Sequence, residues 1–407
     1  MRLWIKNFRA IREQELDIAP ITVLYGMNGT GKSSVLYALL TLKNIVLNPN
    51  QTVDAFFGYG FLGLGNFKAV VFDHNDREPI ELGVSVTEVS EGEVNGGEIR
   101  YAVRLNPTSG EFCLSAEPSL LAEVLSIEPS LRLALSVAFP YPANAHEERG
   151  WNGFRVVWNG LLVQVEPTNI TPETKEQAEI LARRFNQPIE LVRTTDIVPL
   201  RRGFSKPYYG AVSLSPLLVS EDEVATLLAT DPYLLGKVSV YLERIVGHSL
   251  YYHAQLGTAI FTLNTVDRTT GMTCELVNEG FGVNQLVFLL TKALRSDVRI
   301  VCIEEPEIHL HPSAQRKLAQ TLVDIAKNEN KHFIITTHSE TFLMALLAEV
   351  ARGRLAPEQL ACYWAVKKGK EAQFERQQVN EQGQIEGGLA SFMEGELEDL
   401  KAFFGME

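Results

Sequence analysis

The chain has 407 residues, 37 of them basic and 50 acidic, for a formal net charge of −13. Hydrophobic residues make up 45% and charged residues 21%, which is globular usage and excludes a mostly disordered chain. Four cysteines, Cys113, Cys274, Cys302 and Cys362, are scattered without a CxxC pair. That pattern argues against a disulfide scaffold or zinc ribbon and suits a reducing cytoplasm.

At this length two or three domains fit, and a large core can be buried without a structural metal. The opening MRLWIKNFRAI carries Arg2 and Lys6 with no apolar run behind them, unlike a secretory leader. The apolar stretches at 120–139 and 285–294 are broken by charge or too short to span a bilayer. A soluble, cytoplasmic protein with no membrane partner is expected. The acidic balance disfavours a coat of nucleic acid but leaves room for a local basic stripe.

In chain order, residues 2–8 are predicted as a strand and 21–24 as a short buried one. The second runs into Gly26-Met27-Asn28-Gly29-Thr30-Gly31-Lys32-Ser33-Ser34 and then a helical run over 35–40. Residues 68–73 and 80–86 are predicted as strands beside that core. Residues 91–165 have turn signals and short apolar runs, which predict a strand-rich insert. Thr171-Pro172, with Glu173, opens a helix to about Phe185. Ser220 and Glu223 form a capping box before the next helix, and another covers roughly 233–245. Strands are predicted over 251–256, 259–266 and 272–277, a helix over 281–294, and a strand over 300–303. A helix over 313–327, a strand over 332–336 and a helix over 341–351 complete an α/β alternation. We divide the chain into 1–90, an insertion at 91–249, 250–366, and a C-terminal hairpin and helix at 367–407.

Gly26, Gly31, Lys32 and Ser33 fit GxxxxGK[ST] between a strand and a helix, the context a phosphate-binding loop requires. Its backbone N–H groups and the positive end of the helix dipole suit phosphates. Lys32 suits the β- and γ-phosphates, and the Ser33 hydroxyl suits Mg²⁺. The apolar run 300–303 ends in Glu304-Glu305-Pro306. One carboxylate there can hold Mg²⁺, directly or through water. The next can polarise water against a γ-phosphate. Taken alone, paired acids at a strand exit are solvated more often than not. Successive strand residues face opposite ways, so the chain must turn at once for both to serve one nucleotide. His338 follows a third apolar strand, where ligands sit in open α/β sheets, although a lone histidine is more often structural. Asn278-Glu279-Gly280-Phe281-Gly282-Val283-Asn284-Gln285 precedes an apolar helix and by itself fits any tight turn.

This order of parts resembles the ABC-type ATPase superfamily, and more closely its SMC-like, RecF-like and OLD-like branch with small stand-alone AAA-family ATPases. Lys6-Asn7-Phe8-Arg9 ahead of the glycine loop and Glu304-Glu305-Pro306-Glu307-Ile308-His309-Leu310-His311-Pro312 carry the likeness, over roughly 1–45 and 270–345. The stretch from Gly383 to Leu389 also looks like the tail of the stand-alone members. The resemblance implies an ABC-type head with a mixed β-sheet core, an antiparallel β subdomain and a large mixed α/β insertion. It implies ATP and Mg²⁺ as ligands. Arg9, Gly26, Asn28, Gly29, Gly31, Lys32, Ser33 and Ser34 would hold nucleotide, and Ser33 and Glu304 the metal. Glu305 would be the base, His338 the switch histidine and Lys32 a third catalytic group. Gly280, Gly282, Asn284 and Gln285 would be a signature segment completing the opposing subunit's site. That segment lacks the serine of LSGGQ, and the metal-side acid is Glu where Asp is usual.

The implied function is ATP hydrolysis driving a head-dimer switch in DNA repair or antiphage defence. The implied partners are a second copy, a nuclease or other effector, and DNA. The alternative is the motor subunit of a membrane transporter, against which stand the long stretch between Ser33 and Gly280 and the EPExHLHP loop. A built-in nuclease domain is not expected in the residues after His338, which show no acidic DxD cluster. A long-armed protein is excluded by the lack of heptads. The basic group Arg193, Arg201, Arg202 and Lys206 could face nucleotide, nucleic acid or solvent, and facing solvent or pairing within the chain is the leading expectation.

Overall fold

The computed structural model describes residues 1–87, 98–117, 132–140, 146–255, 257–386 and 388. The chain opens with strands β1 (Arg2–Phe8), β2 (Ile11–Asp17) and β3 (Ile21–Tyr25), then helix α1 (Lys32–Leu47). The predicted strand at 68–73 does not form. A helical turn, α2 (Phe67–Val70), and a 3-10 turn at Phe72–His74 stand there instead. Asn66 caps the first turn by accepting from the Ala69 N–H, and Asp54 accepts from the Phe67 N–H at 2.8 Å. Local side-chain capping thus outcompetes sheet pairing.

Next come β4 (Ile80–Thr87), β5 (Glu98–Leu105), β6 (Gly110–Ala116) and β7 (Leu133–Phe139). They extend one antiparallel sheet in the order β2-β1-β4-β5-β6-β7. Strands β4 and β5, on either side of residue 90, pair in this sheet, so the first strands of the expected insertion share a sheet with the N-terminal part. A separate meander follows from β8 (Glu147–Trp151), β9 (Phe154–Trp158) and β10 (Val163–Pro167).

Helix α3 (Pro172–Arg193) starts at the predicted Thr171 cap. It runs past the expected end at Phe185, through Pro188, to Arg193. The buried stripe Leu181, Phe185, Ile189 and Val192 carries it through, since apolar burial outweighs the hydrogen bond lost at one proline. Strand β11 (Thr195–Val198) then pairs in parallel with β16 (Ile300–Glu304). This part of the expected insertion therefore belongs to the central sheet.

After β12 (Tyr209–Gly210) come α4 (Glu221–Thr230) and α5 (Pro232–Val246). The Ser220–Glu223 capping box forms as predicted. Strands β13 (His248–Ala254), β14 (Ile260–Asp267) and β15 (Thr273–Glu275) make a small antiparallel sheet with β12. The last strand is shorter than predicted because a 3-10 turn occupies Leu276–Asn278. Leu256, at the end of one predicted strand, lies outside the described residues. Helix α6 (Phe281–Leu294), β16, α7 (Pro312–Asn328), β17 (His332–Thr337) and α8 (Glu340–Ala351) follow the predicted alternation. The hairpin β18 (Leu360–Lys368) and β19 (Glu371–Gln377) is the last regular structure among the described residues. The predicted C-terminal helix falls outside the described residues.

The central sheet has the order β11-β16-β17-β3-β18-β19, parallel through β18 and antiparallel at β19. This is the mixed core of the expected fold class, an α/β head with an antiparallel sheet beside it. Both faces of the central sheet are covered. Leu24, Ile300, Cys302 and Ile334 join the core that holds α1, α3 and the large antiparallel sheet. Val23, Val301, Ile303, Phe333 and Ile335 join the core under α4 to α8. Alternation along each strand feeds two cores, which is why these strands read as unbroken apolar runs. No helix among the described residues is long and apolar enough to cross a membrane.

Candidate functional site

Strands β16, β17 and β3 are neighbours and parallel, so their C-terminal ends meet at one edge. The glycine loop leaves β3, Glu304 and Glu305 end β16, and Thr337 and His338 end β17. Three segments distant in sequence thus converge where open α/β sheets bind ligands.

Helix α1 begins at Lys32, with Gly31 as its N-cap at φ 90°. A Cβ at Gly31 would lie 2.7 Å from the Ala372 Cβ, so glycine is required both by conformation and by space. No acidic side chain occupies the first turn of α1, and no side chain caps it. Its N–H groups and dipole are left for an external anion. Lys32 is buried, and its Nζ donates to the carbonyls of Gly26 at 3.0 Å and Met27 at 2.8 Å. Burial lowers its pKa to about 8, against the opposing pull of Glu305 and Glu307.

A cleft of about 330 Å³ opens over this loop, lined by Arg9, Asn28, Gly29, Gly31, Lys32, Ser33, Ser34, Glu305 and His338. Arg9 lies with its Cζ 5.1 Å from the centre of the Tyr37 ring. Its Nη1 is buried with no hydrogen-bond partner. Glu305 has φ 41°, and its N–H donates to Thr336 O at 2.9 Å. That left-handed residue makes the immediate turn that both carboxylates need. Glu305 Oε1 lies 3.4 Å from Nε2 of His338. The bond to His338, with the charges of His338, Lys32 and Arg202, holds the Glu305 carboxyl below the usual carboxylate range.

Glu304 is buried behind the cleft. Its Oε1 accepts from the Tyr37 hydroxyl at 2.8 Å and its Oε2 from the Leu200 N–H at 3.1 Å. Each carboxylate oxygen retains a lone pair. Together with the Ser33 hydroxyl, this all-oxygen donor set fits Mg²⁺, which keeps water and phosphate oxygens as most of its ligands. Among the described residues, no cluster of three or more His, Cys, Asp or Glu could cage a metal by itself.

A family model described as "AAA ATPase domain" matches residues 1–87 and 221–343, slightly more than half the chain. The chain belongs to the AAA ATPase domain family. A curated relative, the "OLD nuclease" of Thermus scotoductus, is 22% identical over 348 residues, which is 84% of this chain and 59% of the relative. The chain thus spans well under two thirds of that relative's length. Among solved structures, the SMC head domain from Thermotoga maritima matches at 10% identity and TM-score 0.44, covering 92% of this chain and 97% of that one. An Smc head domain from Pyrococcus furiosus, bound to the C-terminal domain of ScpA, matches at 9% identity and TM-score 0.48, covering 92% and 95%.

In this AAA-family chain the expected signature residues stand apart from the phosphate-loop cleft. Asn284 and Phe281 line a second cavity of about 560 Å³, with Arg201, Arg202, Glu221 and Glu279. Phe281 is 74% exposed at the start of α6, and Gly280 has open space around it. Two members of the segment carry internal duties. A Cβ at Gly282 would meet His309 O at 2.7 Å, so this glycine lets the EPExHLHP loop pack on α6. Asn284 is buried and donates both amide hydrogens, to Phe204 O at 2.8 Å and Leu276 O at 3.0 Å. Gln285 Oε1 is buried with no hydrogen-bond partner.

Three residues at the site escaped the sequence. Tyr37 had no signal beyond its place in an apolar helix. Glu307 is buried, and its Oε1 accepts from the Thr337 hydroxyl at 2.7 Å and the His338 N–H at 2.8 Å. Arg202 pairs within the chain, as its basic group was expected to, but its partners are the carbonyls of Glu304 and Glu305. Arg201, beside it, is exposed. His311 caps α7 by accepting from the Ser313 N–H.

Proposed function

We propose that this chain binds ATP with Mg²⁺ and hydrolyses it, using the phosphate-loop cleft as its active site. The observation that carries the proposal is the meeting of Lys32, Glu305 and His338 in one cleft from three separate segments. Lys32 is placed to exchange its two loop carbonyls for phosphate oxygens. Arg9, stacked on Tyr37 with a free Nη1, suits a further phosphate oxygen or the base. Glu305, ionised at neutral pH, aligns and polarises the attacking water, and His338 holds the carboxylate and suits the γ-phosphate. Ser33 and Glu304 would hold Mg²⁺, whose charge would offset the negative charge building on the phosphates. Positioning and charge stabilisation supply most of the rate in such phosphoryl transfers.

The exposed start of α6, around Gly280 and Phe281, suits the γ-phosphate of a nucleotide held by a second copy. Two heads would then close on two ATP molecules and part after hydrolysis. The likeness to an OLD nuclease supports an output to DNA and an effector such as a nuclease, in repair or antiphage defence. The deciding experiment measures phosphate release with and without Mg²⁺, and ATP affinity by calorimetry, in wild type and Lys32→Ala. Mg²⁺-dependent release lost in the variant, with much weaker ATP binding, is expected. Equal affinity in a folded Lys32→Ala protein would remove the phosphate-loop assignment.

A further inference from the structure

Arg202 lies behind the turn that carries Glu305. Its guanidinium is largely buried. Nη1 donates to Glu304 O at 2.6 Å and to Pro199 O at 3.1 Å, and Nη2 donates to Glu305 O at 2.8 Å. Burial lowers its pKa to about 10, opposed by Glu307, Glu304 and Glu305, so it stays a cation at neutral pH. The turn it grips is one that a side chain disfavours, since Glu305 sits at φ 41°. A planar fork on two successive carbonyls fixes such a turn in a way a point donor cannot.

Two residues on, the same segment is fastened to α6. Asn284 accepts from the Phe204 N–H at 2.7 Å and donates to Phe204 O at 2.8 Å. The Phe204 ring packs on Phe288 of that helix, with centroids 5.9 Å apart. Gly203 between them has φ 125°, and a Cβ there would lie 2.5 Å from Asn284 Oδ1. Only glycine lets the segment approach the helix so closely. Three consecutive residues therefore join the helix at the expected signature to the turn at the expected base.

We propose that Arg202-Gly203-Phe204 is a strut through which α6 sets the position of Glu305, with Arg202 as a positioning residue for that carboxylate. The proposal rests on Glu305 being the group that activates water. A nucleotide engaged at the start of α6 by a second copy then acts on the cleft of the chain that owns α6. Its effect passes through the Asn284 amide and the Arg202 guanidinium. Hydrolysis in each cleft becomes conditional on engagement of the same chain's α6, which makes the two sites of a pair interdependent.

The test uses the full chain and three variants, Arg202→Gln, Arg202→Lys and Asn284→Leu. It reads ATP affinity, single-turnover hydrolysis and hydrogen exchange of the peptide spanning 300–310. Arg202→Gln should slow hydrolysis about ten- to a hundredfold with ATP affinity unchanged, because only alignment is lost. Exchange over 300–310 should quicken. Arg202→Lys should recover part of the rate. Asn284→Leu, which touches neither Glu305 nor the cleft, should reproduce both changes from the far end. Wild-type exchange over 300–310 in a folded Arg202→Gln protein overturns the proposal. So does an Asn284→Leu effect confined to the neighbourhood of Phe204 and Leu276. If Arg202→Gln fails to fold, the other two variants decide by the same readouts. A wild type that binds ATP without hydrolysing it would refute the role of Glu305, while exchange over 300–310 would still decide the strut.

Discussion

Glu305 Oε1 stands 3.4 Å from Nε2 of His338, joining the end of β16 to the end of β17 at the phosphate-loop cleft. The contact ties the expected base to the expected switch histidine. It also keeps the carboxylate ionised, since His338 is the largest influence holding its pKa down.

Glu305→Gln keeps size and hydrogen bonding but removes the charge that polarises water. Hydrolysis should fall at least about tenfold, the low end of what a general base contributes. ATP should stay bound through Lys32 and Ser33, and the protein should accumulate as an ATP-dependent dimer, visible in light scattering. Wild-type turnover in this variant would show that Glu305 is not the base. Slow turnover without an ATP-linked dimer would keep the base and remove the sandwich.

Lys32 gives a pH signature. Its pKa in the folded chain is about 8, below the 10.5 of a free side chain. Above pH 8 the free protein holds it largely neutral, and a triphosphate should restore the charge. ATP binding should therefore take up a proton at about pH 9 and none near pH 7. Calorimetry in two buffers of different ionisation enthalpy reads this directly, and Lys32→Ala should abolish it. The sign for stability is opposite to that for affinity. The folded chain releases this proton before the unfolded chain does, so the group makes stability rise between pH 8 and 10.5. Equal proton uptake in wild type and Lys32→Ala would assign the titration elsewhere.

Asp196 at β11 holds together a buried charge cluster. Its Oδ1 lies 3.0 Å from Lys292 Nζ and its Oδ2 2.8 Å from Arg295 Nη1. Lys43 of α1 donates to Thr195 O beside it at 2.5 Å. Asp196→Ala would leave Lys292 without its carboxylate, while Arg295 keeps Asp297 at 2.6 Å, at a cost of ~3–5 kcal/mol. Denaturant unfolding should show a lower midpoint at constant slope. Adding Lys292→Met should recover part of the loss by removing one orphaned charge. A loss below about 1 kcal/mol would mean that water or another group balances the cluster.

The parts whose physics is local were legible in the chain's own residues. The phosphate loop is contiguous, and its glycines, lysine and helix start are fixed by backbone conformation and the α1 dipole. The acidic end of β16, the His338 strand and the caps at Thr171 and Ser220 were legible for the same reason, since each depends on neighbours within a few residues. Apolar runs marked the strands of the central sheet because those strands are buried on both faces.

How these parts meet and what braces them came from contacts between distant segments. The predicted strand at 68–73 became helical turns because Asp54 and Asn66 capped them, which no periodicity announces. Residue 90 looked like a boundary, but the strands on either side of it pair in one sheet. Likewise, β11 was placed in the insertion by position and in the central sheet by its register with β16. That Arg202 would pair within the chain was open to the sequence, but not that its fork would lie on the carbonyls of Glu304 and Glu305, about a hundred positions away. The commitment of the Asn284 amide to Phe204 and Leu276 was likewise invisible in the sequence. These are pairings between distant residues, made by hydrogen bonds to backbone groups that every residue carries, so their partners leave no mark in the sequence.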